Sequence, residues 1–309
     1  MLPTSHPFRN SIALWGVIAL FLLATPARAQ TGSTKSANPA TTRAVTGAKP
    51  LAAISVEEAL QLTKKTPNDP DAYLALGAAY RRAGRYEDAV EAFKKLVALV
   101  PNNSTAHVSL GAAYMDLKRT EEAQREFQRA LKLDPANSAA HFNIGNFHLA
   151  KGRRDDALSE FRRATELKPP LADAWVSYAL IEGELGKTDE AMKSYQKALA
   201  IDSTNVRGLT NMANALYSQG KIPDATALYR KALKYDPTNQ EANYNMGVAF
   251  ADAQIFKQAL SYWKRVVAID STSGVAESAK SSIQILEDYL SSQQGKTIQQ
   301  APTGVTEKH

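Results

Sequence analysis

The chain has 309 residues, 22% of them charged, with a formal net charge of +6 and no cysteine. It therefore has no disulfide framework and no attachment point for a lipoprotein acyl chain. The charge is uneven: residues 51–292 carry equal numbers of basic and acidic side chains, interleaved within the helical segments. The one-sign face of a nucleic-acid binder is missing.

Residues 1–29 read as a secretory signal peptide. Arg9 and the amino terminus precede an apolar run from Ile12 to Ala24, and Ala27-Arg28-Ala29 offers a small-x-small cleavage site before Gln30. The run falls short of the ~20 apolar residues that span a bilayer, and Pro26 interrupts it. An uncleaved signal anchor is the alternative. Residues 30–50, rich in Thr, Ser, Ala, Gly and Pro, form a flexible linker. The expected location is thus exported, with the bacterial periplasm preferred over secretion. Ile54 to Lys65 predicts the second helix of a degenerate N-terminal half-repeat over 51–69, because Pro67 lies 34 residues before Pro101.

The same spacing governs the rest of the helical region. Ala89, Ala123, Ala157, Ala191, Ala225 and Ala259 recur every 34 residues. The surrounding frame is clearest where Tyr73, Leu76, Gly77 and Tyr80 precede Ala89, Phe93, Leu96 and Pro101. It returns as His107, Leu110, Gly111, Tyr114, Ala123, Phe127, Ala130 and Pro135, then as His141, Ile144, Gly145, His148, Ala157, Phe161, Ala164 and Pro169. Trp175 and Tyr195, Met212 and Tyr229, and Met246 and Trp263 mark the later copies. Apolar steps of three and four place one stripe on each of two helices, and stacked neighbours bury those stripes. Gly77 is expected to face Ala89 where the helices of a hairpin cross. The aromatics from Phe93 to Trp263 are expected to fill the space between repeats. Gly84, Gly152, Gly186 and Gly220 fall at the turns, where a left-handed residue ends a helix. Lys118 and Gln254 replace that glycine in the second and sixth copies.

These residues resemble the tetratricopeptide repeat family over 70–273. The resemblance implies an all-α, right-handed superhelical solenoid of about six helix-turn-helix repeats, at 70–103, 104–137, 138–171, 172–205, 206–239 and 240–273. Residues 274–292 carry a helical pattern without the repeat frame and are read as a capping helix. Residues 293–309 are a polar tail, expected to be disordered.

Chemistry has little to stand on. There is no His-Glu-x-x-His, no P-loop and no Gly-x-Ser-x-Gly elbow. His107, His141 and His148 occupy slots filled elsewhere by Tyr73, Trp175 and Tyr80, so they are read as packing substitutions rather than ligands. Acid pairs such as Asp155-Asp156 and Asp189-Glu190 fall in the first turns of second helices, where they favour the helix dipole. The expectation is a chain that is not an enzyme and uses no cofactor or metal.

In the tetratricopeptide family a concave groove is lined by the second, fifth, sixth, ninth, twelfth and thirteenth positions of each first helix. The first two repeats place mostly small or aliphatic groups there, including Leu74, Ala78, Val108 and Ala112, with Arg81 and Met115 as exceptions. The third brings Phe142, Asn143 and Asn146, the fifth Arg207, Thr210, Asn211, Asn214 and Tyr217, and the sixth Tyr244 and Asn245. Asn143, Asn211 and Asn245 stand at equivalent positions, and amides both donate and accept, so they are read as contacts to the backbone of an extended partner peptide. The competing reading has them satisfying neighbouring helices or water. The carboxylate clamp of chaperone-binding members fails here: aligned on Asn146 it has Phe142 and Ser177, and aligned on Asn214 it has Thr210, Val275 and Ala279, where lysine, arginine or asparagine is required. The expected function is a protein-interaction scaffold of the cell envelope with a protein or peptide partner, no nucleic acid, and no stable membrane insertion after signal cleavage. A glycan-binding accessory of polysaccharide export is the alternative, with Tyr217, Tyr244 and Phe142 as its aromatic platforms.

Overall fold

The computed structural model describes residues 54–168 and 170–299, with side chains through Ser292. The signal peptide and linker read in residues 1–50, Pro169, and the tail from residue 300 onward lie outside the described residues. Among the described residues there are fourteen α-helices and no strand, an all-α helical repeat solenoid. They fall into two compact units, residues 54–203 and 204–299.

The first unit begins with α1 (Val56–Lys65), held at its start by a capping box between Ser55 and Glu58. Four hairpins come after it: α2 (Pro70–Arg82) with α3 (Tyr86–Leu99), α4 (Ser104–Asp116) with α5 (Thr120–Leu133), α6 (Ser138–Ala150) with α7 (Arg154–Glu166), and α8 (Ala172–Glu184) with α9 (Thr188–Ile201). The second unit stacks α10 (Val206–Ser218) with α11 (Ile222–Tyr235) and α12 (Gln240–Asp252) with α13 (Phe256–Ile269), and ends in α14 (Gly274–Gln299). That last helix runs past Ser292, the end expected from the sequence pattern. Its Ala276, Ala279 and Leu286 are buried in a cluster with Trp263 and Val266, so it covers the apolar side of the last hairpin.

Four of the first helices start by a means the second helices do not use, whereas α8, preceded by Leu171, has no side-chain cap. Asn103, Asn137, Asn205 and Asn239 each accept a hydrogen bond at 2.7–3.0 Å from the backbone N–H three residues on, which caps α4, α6, α10 and α12. The second helices begin at Arg85, Arg119, Arg153, Lys187, Lys221 and Ile255, none of which gives a side-chain cap. Five of the six instead carry acids in the first turn, such as Glu87 and Asp88, where the exposed N–H groups favour negative charge. All six turn residues adopt the left-handed conformation, φ +71° to +76° at the glycines, 59° at Lys118 and 60° at Gln254. The two side-chain-bearing residues therefore sit where L residues are strained.

The recurring alanines are all buried, and so are Phe93, Phe127, Phe161, Tyr195, Tyr229 and Trp263. An aromatic ring occupies the slot at Gly77: a Cβ there would lie 2.4 Å from the Phe93 ring, and one at Gly111, Gly145 or Gly247 would lie 2.6, 2.6 or 2.4 Å from Phe127, Phe161 or Trp263. Each ring thus packs closely against the first helix of its own hairpin. Only glycine leaves room, and the slot becomes alanine at Ala179 and Ala213, where the facing aromatic is tyrosine.

Candidate functional site

The candidate residues are divided between the two units. In the first, α6 carries Phe142, Asn143 and Asn146. Phe142 lies against Phe161, ring centroids 5.8 Å apart. The Asn143 amide donates to the Ala139 carbonyl of its own helix at 2.8 Å. Asn146, half-buried one turn later, has no hydrogen-bond partner among the described residues and so keeps its amide available.

In the second unit the asparagines build a network. Asn214 on α10 accepts from the Tyr229 hydroxyl at 2.6 Å and from the Asn245 amide at 2.7 Å, and donates to Glu241 at 3.0 Å. Both acceptor sites of Asn214 are used, and helices α10, α11 and α12 meet on one side chain. Asn245 is 7% exposed and points into this network rather than outward. Of the three amides at equivalent positions, Asn143 donates one N–H to its own helix and Asn245 donates to Asn214, while Asn211 has no partner among the described residues. Asn214, a fourth amide of the expected groove, is engaged on both its oxygen and its nitrogen. Short polar side chains on tightly packed helices find each other first, because an unpaired buried amide costs roughly 1–3 kcal/mol.

The remaining residues surround that network. Tyr244 is half-buried: its hydroxyl meets the Ser282 hydroxyl at 3.2 Å, and its carbonyl accepts from the Trp263 indole at 3.1 Å. Thr210 is 2% exposed and its hydroxyl has no partner. Arg207 forms no ion pair within 4 Å, although its charge reaches the Glu241 carboxyl. Burial is the larger influence there and pushes Glu241 up, against the Asn214 hydrogen bond and Arg207. Burial likewise raises the Tyr229 and Tyr244 phenols. Tyr217 is half-buried, packed on the cluster containing Val248 and Leu286, with its hydroxyl uncommitted.

Two groups escaped the sequence reading. Glu241 and Asp252 occupy the second and thirteenth positions of α12, the same frame that selected Tyr244 and Asn245, so the signal was present in the spacing. Burial alone pushes the Asp252 carboxyl up to about 6. The histidines do more than pack. His107 bridges Glu126 (2.7 Å) and the Pro101 carbonyl (3.0 Å), and His141 bridges Glu160 (2.7 Å) and the Pro135 carbonyl (3.1 Å). Asn243, 136 residues beyond His107 in the same slot, donates to the Pro237 carbonyl at 3.1 Å. Each side chain pins the loop between hairpins to a first helix. The Glu160 hydrogen bond, followed by the Pro135 contact, raises His141 against the effect of its burial.

No group of three or more His, Asp or Glu among the described residues is placed to hold a metal ion. A cavity of about 220 Å³ lies among His141, Ser159, Glu160, Arg162, Arg163 and Glu166, and none of the candidate residues lines it. No described helix is long and apolar enough to cross a membrane.

A family model described as the Cilia and flagella-associated protein 70 C-terminal domain, a tetratricopeptide family, matches residues 15–280. No curated relative matches the chain by sequence. Among solved structures, pilF of Pseudomonas aeruginosa is similar at 20% identity, covering 73% of this chain and 98% of its own, with a TM-score of 0.56. PilW, described as a type IV pilus biogenesis factor, is similar at 18% identity, covering 67% and 96%, with a TM-score of 0.54. The APC/C hetero-tetramer Cut9-Hcn1 is similar at 14% identity over 74% of this chain and 45% of its own, with a TM-score of 0.62. At these identities the likeness is one of fold.

Proposed function

The chain belongs to the tetratricopeptide repeat family, and from that premise we propose that it is a non-enzymatic interaction scaffold that holds an extended segment or a helix of a partner protein against its first helices. The observation that carries this reading is the division of labour among polar side chains on α10. Asn214 is held by internal hydrogen bonds on both its oxygen and its nitrogen, whereas Asn211 and the Tyr217 hydroxyl, on the same helix, are half-buried and uncommitted. A rigid internal network next to free donors and acceptors suits recognition of a peptide backbone, because the groups that bind need no rearrangement.

The leader read in residues 1–29 extends the proposal to the cell envelope. That step rests on the sequence of the leader, since the likeness to PilW is one of fold. The test uses the full chain as bait in an envelope extract, beside the double variant Asn211→Ala/Tyr217→Ala, with captured material identified by mass spectrometry. Neither residue belongs to the network, so helical content should match the wild type, while truncation of the Tyr217 ring packed beside Val248 and Leu286 should lower the melting temperature without unfolding the chain. A partner protein retained by wild type and lost by the variant supports the scaffold. Equal capture by both folded proteins refutes this surface, and retained polysaccharide in place of protein transfers the reading to glycan binding.

A further inference from the structure

The 34-residue period places the same pair of positions twice on neighbouring first helices, and the chain fills them differently. On α2 and α4 they are Arg81 and Asp116, and the Arg81 Nε donates to the Asp116 carboxylate at 2.5 Å. Asp116 is the last residue of α4, where unsatisfied carbonyls make the potential negative and a carboxylate unfavourable without a cation. Four periods on, α10 and α12 carry Tyr217 and Asp252 at these positions. Asp252 is again the last residue of its helix and again half-buried, yet it has no hydrogen bond and no ion pair. Helix α10 runs beside α12 here as α2 runs beside α4, as the Asn214 hydrogen bonds to Glu241 and Asn245 show. Tyr217 therefore stands where Arg81 stands. It offers an aromatic face, which attracts a cation, in place of the cation itself.

An unpaired carboxylate held at a helix C-terminus and partly withdrawn from water costs free energy that the fold does not recover. Among the described residues no lysine, arginine or histidine nitrogen comes within 4 Å of the Asp252 carboxylate, the distance at which Lys264 holds Glu287 and Lys280 holds Glu277. We propose that Asp252 and Tyr217 form an open seat for a lysine or arginine side chain of the bound partner segment, which supplies the cation that Arg81 supplies to Asp116. The inference rests on the scaffold reading above and specifies its partner chemistry: a segment with a basic residue fixed in register with α12.

The experiment pans a library of random dodecapeptides against the full chain and against Asp252→Asn, Asp252→Arg and Tyr217→Arg, then measures selected peptides by fluorescence anisotropy. Asp252→Asn keeps the shape of the side chain, and circular dichroism checks that each variant is folded. Wild type should enrich peptides with one Lys or Arg at a constant position, and replacing that residue by alanine should weaken binding roughly tenfold. Asp252→Asn should lose this tenfold preference while still binding peptides, and Asp252→Arg should shift enrichment to Asp and Glu. Tyr217→Arg should fill the seat from within and abolish the preference. Peptides bound by wild type and Asp252→Asn with the same residue preference overturn the seat and leave the scaffold reading standing. No enrichment by any folded protein overturns both.

Discussion

Replacing Gly111 by alanine should destabilise the first unit, although alanine is the better helix former. The substitution in α4 brings a helix-propensity gain of about 1 kcal/mol. Against it, the new Cβ would lie 2.6, 2.8 and 3.1 Å from three atoms of the Phe127 ring, about 1 Å inside ordinary carbon–carbon contact. The ring is fully buried and cannot swing into solvent. Overpacking of this kind costs about 1–3 kcal/mol, and more where the neighbour cannot move, so the net effect is a loss of ~1–2 kcal/mol. Gly183 in α8 is the control in the same unit: its added Cβ meets only the Ala191 Cβ at 3.9 Å, an ordinary contact. Gly183→Ala should therefore stabilise by roughly 0.5–1 kcal/mol. Urea unfolding followed by far-ultraviolet circular dichroism measures both, and a cycle with Phe127→Leu isolates the clash. The shorter side chain should cost less in the Gly111→Ala background than in wild type. A more stable Gly111→Ala variant, or strict additivity in the cycle, would refute the packing account.

Other contacts set three further outcomes. Lys118→Gly and Gln254→Gly relieve a left-handed residue at φ 59° and 60° and should each raise the urea midpoint by the equivalent of about 0.5–1 kcal/mol, the relief exceeding the entropy that glycine adds to the unfolded chain; unchanged or lower midpoints would contradict this. His141 is raised by Glu160, so the clamp contributes its full stability below the ordinary histidine value of about 6.5 and loses it as pH rises through the elevated folded value. His141→Asn, which mimics Asn243 in retaining the loop carbonyl contact, should flatten the pH dependence of the midpoint above pH 6.5, and an unchanged slope would count against the charged pair. Asn214→Ala strands the Tyr229 hydroxyl, the Asn245 amide and Glu241 together, and should cost about 2–4 kcal/mol; a loss under ~1 kcal/mol would show that water replaces the network without penalty.

The division between what the sequence determined and what the fold decided is physical. Periodicity is a one-dimensional property, so the 34-residue recurrence of Ala89 and its counterparts was enough to specify hairpins and their turns at Gly84 and its equivalents. The left-handed strain at Lys118 and Gln254 was readable as a departure from that period. Partner choice within a face is not one-dimensional. Asn143 and Asn211 share a slot, yet one bonds its own helix and the other stays free, because the outcome depends on which side chains the neighbouring helices bring within 3 Å. The same applies to Gly77, against which the Phe93 ring packs, and to the histidines, which look like aromatic substitutions until the Pro101 and Pro135 carbonyls are in place. Asp252 lay in the groove frame from the start. Its isolation became visible only when the equivalent Asp116 was found holding Arg81, since the absence of a cation is a fact about three-dimensional neighbours.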